Sequence, residues 1–150
     1  VKTALVAAIA ITIVVTFAAG YFAGAFTTDM QHSRRISNKA AIKAVGVGVY
    51  QDPALTVCLT EIDWGILEPG EKKNHTAYIE NESNVAITLV LTTENWSPQN
   101  ASSFIALTWD YNGQLLEVDE FIEVTFTLAV DPAISGIDAF SFDIVIVGTG

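Results

Sequence analysis

The sequence predicts an N-terminal long hydrophobic α-helix over residues 1–36, joined to an all-β, immunoglobulin-like sandwich of about seven strands over residues 37–150. Three observations predict it. No charge occurs between Lys2 and Asp29, a run of 26 residues rich in Ala, Ile, Val and Phe. From Ile42 onward the apolar period changes from helical to two, the repeat of a strand with one buried face. Clusters of Pro, Gly, Asn and Asp then separate short apolar runs almost to the C-terminus.

The apolar run is long enough to cross a bilayer as a helix, at about 1.5 Å per residue. Three readings fit it: a cleaved secretory signal ending near Ala23-Gly24-Ala25, an uncleaved membrane anchor, and a core helix that packs against copies of itself. Its length disfavours the signal, whose apolar core is about half as long. Val1 in place of Met fits processing that cuts in front of the apolar segment, and equally a GUG start. Gly20 and Gly24 form a GxxxG spacing among many alanines, which lets helix backbones approach closely. They are the expected helix-packing residues. The polar stretch Asp29 to Ala40 has no Pro or Gly, so the helix is expected to continue to about Ile36.

The strands follow in order. Ala41 to Val49 alternates with small residues and stops at Gln51-Asp52-Pro53. Val57, Leu59 and Ile62 lead a second strand to Trp64, closed by the turn Glu68-Pro69-Gly70-Glu71. Thr76 to Glu80 is a third, and Asn81 to Asn84 turns into a fourth with Val85, Ile87, Leu89 and Leu91 on one face. After a longer loop, Glu94 to Ser103, come Ile105, Leu107 and Trp109, and then Asn112-Gly113, a tight-turn signal. Ile122 to Val130 and Phe140 to Ile146 complete the set. Seven short strands with turn chemistry between them imply a sandwich.

Charge divides the chain. Residues 1–43 hold five basic residues against one acid, whereas residues 44–150 hold only Lys72 and Lys73 against sixteen acids. The chain's net charge of −10 excludes a nucleic-acid partner, because it repels phosphate. The lone Cys58 excludes a disulfide scaffold and, within a strand pattern, reads as an inert buried thiol. No metal-binding spacing involves His32 or His75, and no nucleophile and base are paired in a motif. Neither catalytic residues nor a cofactor or resident metal is therefore expected. The acids Glu61, Asp63, Glu117, Asp119 and Glu120 read as a solvated face, with Ca²⁺ binding left open.

Four of the seven asparagines, Asn74, Asn81, Asn95 and Asn100, head N-x-S/T sequons, where chance would supply roughly one. They fall in expected turns and loops. N-linked glycans there imply an extracellular head.

The segments Ile36-Ser37-Asn38 to Val45-Gly46-Val47-Gly48-Val49-Tyr50, Ile62-Asp63-Trp64-Gly65-Ile66-Leu67-Glu68-Pro69-Gly70 and Tyr78-Ile79-Glu80-Asn81-Glu82-Ser83-Asn84 resemble an archaeal family of surface proteins with an apolar N-terminal helix and a β-sandwich. The plan is similar to archaeal type IV pilins and archaellins, and more weakly to the TasA and camelysin group of biofilm fibres. The resemblance implies a non-enzymatic subunit of an extracellular filament: a helical homopolymer, membrane-inserted before assembly, with glycosylated heads outside. The camelysin protease activity does not transfer, since no zinc motif is present. Two alternatives stand beside it: a membrane-anchored surface or adhesion module, and a secreted fibre in which the flat Ala44 to Tyr50 strand completes a neighbour's sandwich.

Overall fold

Period-two alternation converts directly into two facing sheets in the computed structural model, which describes residues 38–150. The expected helix over 1–36, with Gly20 and Gly24, lies outside the described residues. The strands are β1 (Asn38–Val45), β2 (Val47–Tyr50), β3 (Glu61–Gly65), β4 (Lys72–Asn81), β5 (Thr88–Ser97), β6 (Ile105–Trp109), β7 (Phe121–Val130) and β8 (Ser141–Thr149). The first sheet has the order β3-β1-β8-β5 and the second β2-β4-β7-β6. All of these pairings are antiparallel except β1 with β8. Ala40, Ile62, Trp64, Leu89, Phe142, Ile144 and Ile146 from the first sheet are buried, as are Val47, Val49, Ala77, Ile79, Val124, Phe126 and Leu128 from the second.

The expected fold class is corrected as far as the described residues go. Among the described residues there is no α-helix, only a 3-10 turn over Gln99–Ser103. The strands number eight, because the expected first strand is broken in two. At Gly46 the backbone takes a φ of +74°, and the chain leaves β1 in one sheet to become β2 in the other. A left-handed residue costs an L side chain about 1–2 kcal/mol, and glycine avoids that cost. A Cβ at Gly46 would meet nothing nearer than the Gly148 carbonyl oxygen at 3.9 Å, so space does not forbid a side chain there. Gly46→Ala is therefore expected to lower stability by about 1–2 kcal/mol through conformation alone, with Gly46→Asn costing less. Urea unfolding of the two variants checks the order.

Both halves of the broken strand are paired at home. β1 lies between β3 and β8, while β2 pairs with β4 and, along its other edge, with residues 57–59: Leu59 N–H donates to the Val49 carbonyl and Gln51 N–H donates to Val57 O, each at 2.8 Å. The flat, unpaired donor strand expected over Ala44 to Tyr50 is corrected accordingly. The loop between β2 and β3 is pinned by the Asp52 carboxylate, which accepts from Thr56 N, Thr56 Oγ1 and Val57 N.

Asn112-Gly113 does not make a tight hairpin. Residues 110–120 form a long connection, held where the Tyr111 hydroxyl donates to Gln114 O at 2.6 Å and accepts from Leu89 N–H at 3.1 Å. Leu116 bridges to Ile87 and is buried. An apolar anchor inside the loop outweighs the local turn signal.

Candidate functional site

The outward face of the second sheet gathers groups that sequence parity alone scatters. Two rows cross it in register: Gly48, Glu80 and Phe121, then Tyr50, Tyr78 and Glu123, taken from β2, β4 and β7. Directly opposed residues on one face stand about 5 Å apart at Cβ, so these six positions form one continuous patch. Tyr50 lies folded back over Gly48, where an added Cβ would fall 2.6 Å from its ring, and reaches the Glu82 carboxylate with its hydroxyl at 2.7 Å. Phe121 packs edge-on to Tyr78 with ring centroids 6.4 Å apart and is 43% exposed.

Carboxylates shape the electrostatics here. The hydrogen bond to Glu82 pushes the Tyr50 phenol up to about 12, and burial together with a hydrogen bond to Glu123 raises Tyr78. The nearest basic residue on this face of β4 is Lys72, six positions from Tyr78 and therefore about 20 Å along the strand. Lys39 is paired with Glu61, Lys43 with Glu94 and Asp143, and Lys73 with Glu71.

Tyr50 supplies a pH test. Its folded-state pKa lies above the ordinary 10.0, so its contribution to stability is fully present below pH 10 and is lost as pH rises through about 12. Ultraviolet difference titration is expected to show one tyrosine ionising near 12, absent in Tyr50→Phe and returned towards 10 in Glu82→Gln.

The outward face of the first sheet is different. Val45, Val147 and Val90 stand side by side in register, next to Lys43, whose ammonium lies 2.7 Å from Asp143 and 3.0 Å from Glu94. Asn95 Nδ2 and then Lys43 hold the Asp143 carboxyl below its usual range. At the end of the sandwich where β1 begins, a depression of about 240 Å³ is lined by Asn38, Leu67, Val130, Ile137 and Phe140. Among the described residues no group of three or more His, Cys, Asp or Glu is placed to hold a metal ion.

Placement sorts the sequons. Asn74, Asn95 and Asn100 are exposed. Asn81 is fully buried, and its Nδ2 donates to Val85 O, Leu116 O and Glu117 O at 2.8–3.1 Å. A sugar on that nitrogen would displace these bonds and needs room the core does not have, so Asn81 is corrected from a glycan acceptor to a core ligand of three loop carbonyls. Cys58, expected to be buried, is exposed. It follows Val57 on the turn that pairs with the edge of β2. Sequence reasoning misses the tyrosine patch, because nothing local pairs β2, β4 and β7. The signal that could find it is phase: Tyr50 follows the inward residues Val47 and Val49 by an odd step, and Tyr78 falls between Ala77 and Ile79.

The described residues thus make an immunoglobulin-like β-sandwich module with an acidic, tyrosine-bearing face. No family model and no curated protein matches the chain. Among solved structures, it is similar to the ASH/PapD-like domain 7 of human CEP192, at 10% identity and a TM-score of 0.37, covering 71% of this chain and 86% of that one. It is also similar to WR4, an MSP family member of C. elegans, at 12% identity and a TM-score of 0.28, covering 55% and 89%. The expected kinship with archaeal pilins and archaellins, and the weaker one with TasA and camelysin, is corrected: no family model matches the chain.

Proposed function

We propose that the chain is a non-enzymatic surface module, held in a membrane by its apolar N-terminal segment, whose β-sandwich stands outside the cell and binds other macromolecules there. The observation that carries it is the division of the sequence: 26 charge-free residues, long enough to span a bilayer, precede a sandwich bearing nearly all the acids. The exposed sequon asparagines Asn74, Asn95 and Asn100 support an external sandwich that carries glycans. Function then resides in surfaces.

One observation favours a second reading. Arg34, Arg35, Lys39 and Lys43 follow the apolar run on the sandwich side, and basic flanks stay cytoplasmic. That reading places the same anchored module inside the cell.

Cys58 decides between them, being the chain's single cysteine and exposed. With the chain expressed in its native membrane, a membrane-impermeant maleimide is expected to label Cys58 in intact cells. Labelling only after permeabilisation establishes the second reading. Release of the protein by alkaline carbonate removes the membrane anchor from both.

A further inference from the structure

The two outward faces differ in what they leave unmatched. On the first sheet, Lys39 and Lys43 meet Glu61, Glu94 and Asp143, so each of these acids has a basic partner. On the second, Glu80, Glu82 and Glu123 surround Tyr50, Tyr78 and Phe121, and each described lysine other than the distant Lys72 is engaged elsewhere. The Tyr50 hydroxyl already donates to the Glu82 carboxylate, and Tyr78 stands directly opposite Glu123 in register. The ring faces and the carboxylate oxygens remain as the available chemistry.

We propose that this face, centred on Tyr50, Tyr78 and Phe121, docks an arginine-bearing, extended polypeptide segment of a partner. The proposal rests on the reading that the sandwich is a binding module, and it names the partner's chemistry. Charge complementarity selects a cation. The aromatic faces select a guanidinium, which is planar, weakly hydrated and able to stack on a ring while donating to a carboxylate at its edge. Spacing selects an extended chain. Alternate residues of a strand lie about 7 Å apart on one side, and the row of Glu80 is separated from the row of Tyr78 by that same two-residue step. An Arg-x-Arg segment therefore places one guanidinium beside Tyr78 and Glu123, and the next beside Phe121 and Glu80. A bare divalent ion is a poorer occupant, since among the described residues no three acids converge on a point.

The experiment uses the full chain in detergent micelles and a fluorescent peptide of sequence Arg-Ser-Arg-Ser-Arg, read by anisotropy. Saturable binding is expected. It should weaken about threefold in Tyr50→Leu and in Tyr78→Leu, the size of an exposed cation–π contact, and be kept in Tyr78→Phe. Glu80→Gln combined with Glu123→Gln should weaken it about tenfold or more, and added salt should do the same. A lysine peptide of equal charge should bind several-fold more weakly, whereas Glu61→Gln on the other sheet should leave binding unchanged. Absence of saturable binding overturns the proposal. So does binding that the carboxylate variants reduce but both leucine variants leave intact, which marks diffuse charge attraction. Self-association through this face, seen by sedimentation and abolished by Tyr78→Leu while the peptide does not bind, overturns it in favour of a second copy. Thermal melts confirm that each variant folds, and Tyr78→Phe against Glu80→Gln keeps the comparison should a leucine variant fail. Cys58 labelling reports the side of the membrane independently, so failure of the peptide and failure of the surface reading are separate results.

Discussion

Asn81→Ala is expected to lower the free energy of unfolding by about 3 kcal/mol, the largest cost of any polar substitution among the described residues. The side chain is fully buried, donates to three carbonyls and accepts from the backbone N–H and the hydroxyl of Ser83. Alanine removes all of these at once, and a buried polar group left without a partner costs about 1–3 kcal/mol. Leu116 O and Glu117 O keep one backbone donor each, Ile87 N–H and Glu120 N–H, which holds the loss below the sum of three orphaned groups. Asn81→Asp should be at least as damaging near neutral pH, because a carboxylate cannot donate to any of the three carbonyls and brings an unpaired charge into the core. Urea unfolding followed by circular dichroism reads both. A loss under about 1 kcal/mol for Asn81→Ala would mean that the loops around Val85 and Leu116 do not depend on this amide.

The second large effect is expected at Phe126. Its ring is wholly buried on the inner face of β7, nearly parallel to that of Trp109 at a centroid distance of 6.0 Å. Phe126→Ala should cost about 3–5 kcal/mol, combining lost burial with an unfilled cavity. Domains of this size are stable by only about 5–15 kcal/mol, so the variant should melt far below the wild type. Phe121→Ala in the same strand is the internal control. The two phenylalanines are five positions apart, an odd offset, so they stand on opposite faces, and Phe121 is 43% exposed. Its removal should cost under about 1 kcal/mol. If the two losses came out equal, the register of β7 would be wrong.

The same parity makes two strands legible from the amino-acid order alone. Val124, Phe126, Leu128 and Val130 alternate without interruption, as do Phe140, Phe142, Ile144 and Ile146, and all eight are buried. Burial of one face forces a strict period of two, and that period is what the order of residues displays. The split at Gly46 is not legible in this way, since glycines alternating with valines look the same in one flat strand and in two strands of different sheets. Asn112-Gly113 misleads for a related reason. A turn dipeptide reports local preference, while Leu116 has a partner in Ile87 that lies 29 residues earlier. The sequon at Asn81 implies a surface residue, although an asparagine at the end of a strand can serve equally as a ligand for turn carbonyls.

By itself, the sequence determined that this chain has an apolar N-terminal segment, that residues beyond Ile42 are strands, and which side chains of β7 and β8 face inward. Each of these follows from composition or from periodicity within one segment, where the physical cause is local. Only the tertiary structure decided which strands are neighbours, and hence which outward residues meet. Glu80, Phe121 and Tyr50 are separated by tens of residues, and nothing in the chain's local chemistry places them on one patch until β2, β4 and β7 pair in register. Burial of the inner face fixes that register, and the outer face inherits its geometry from it.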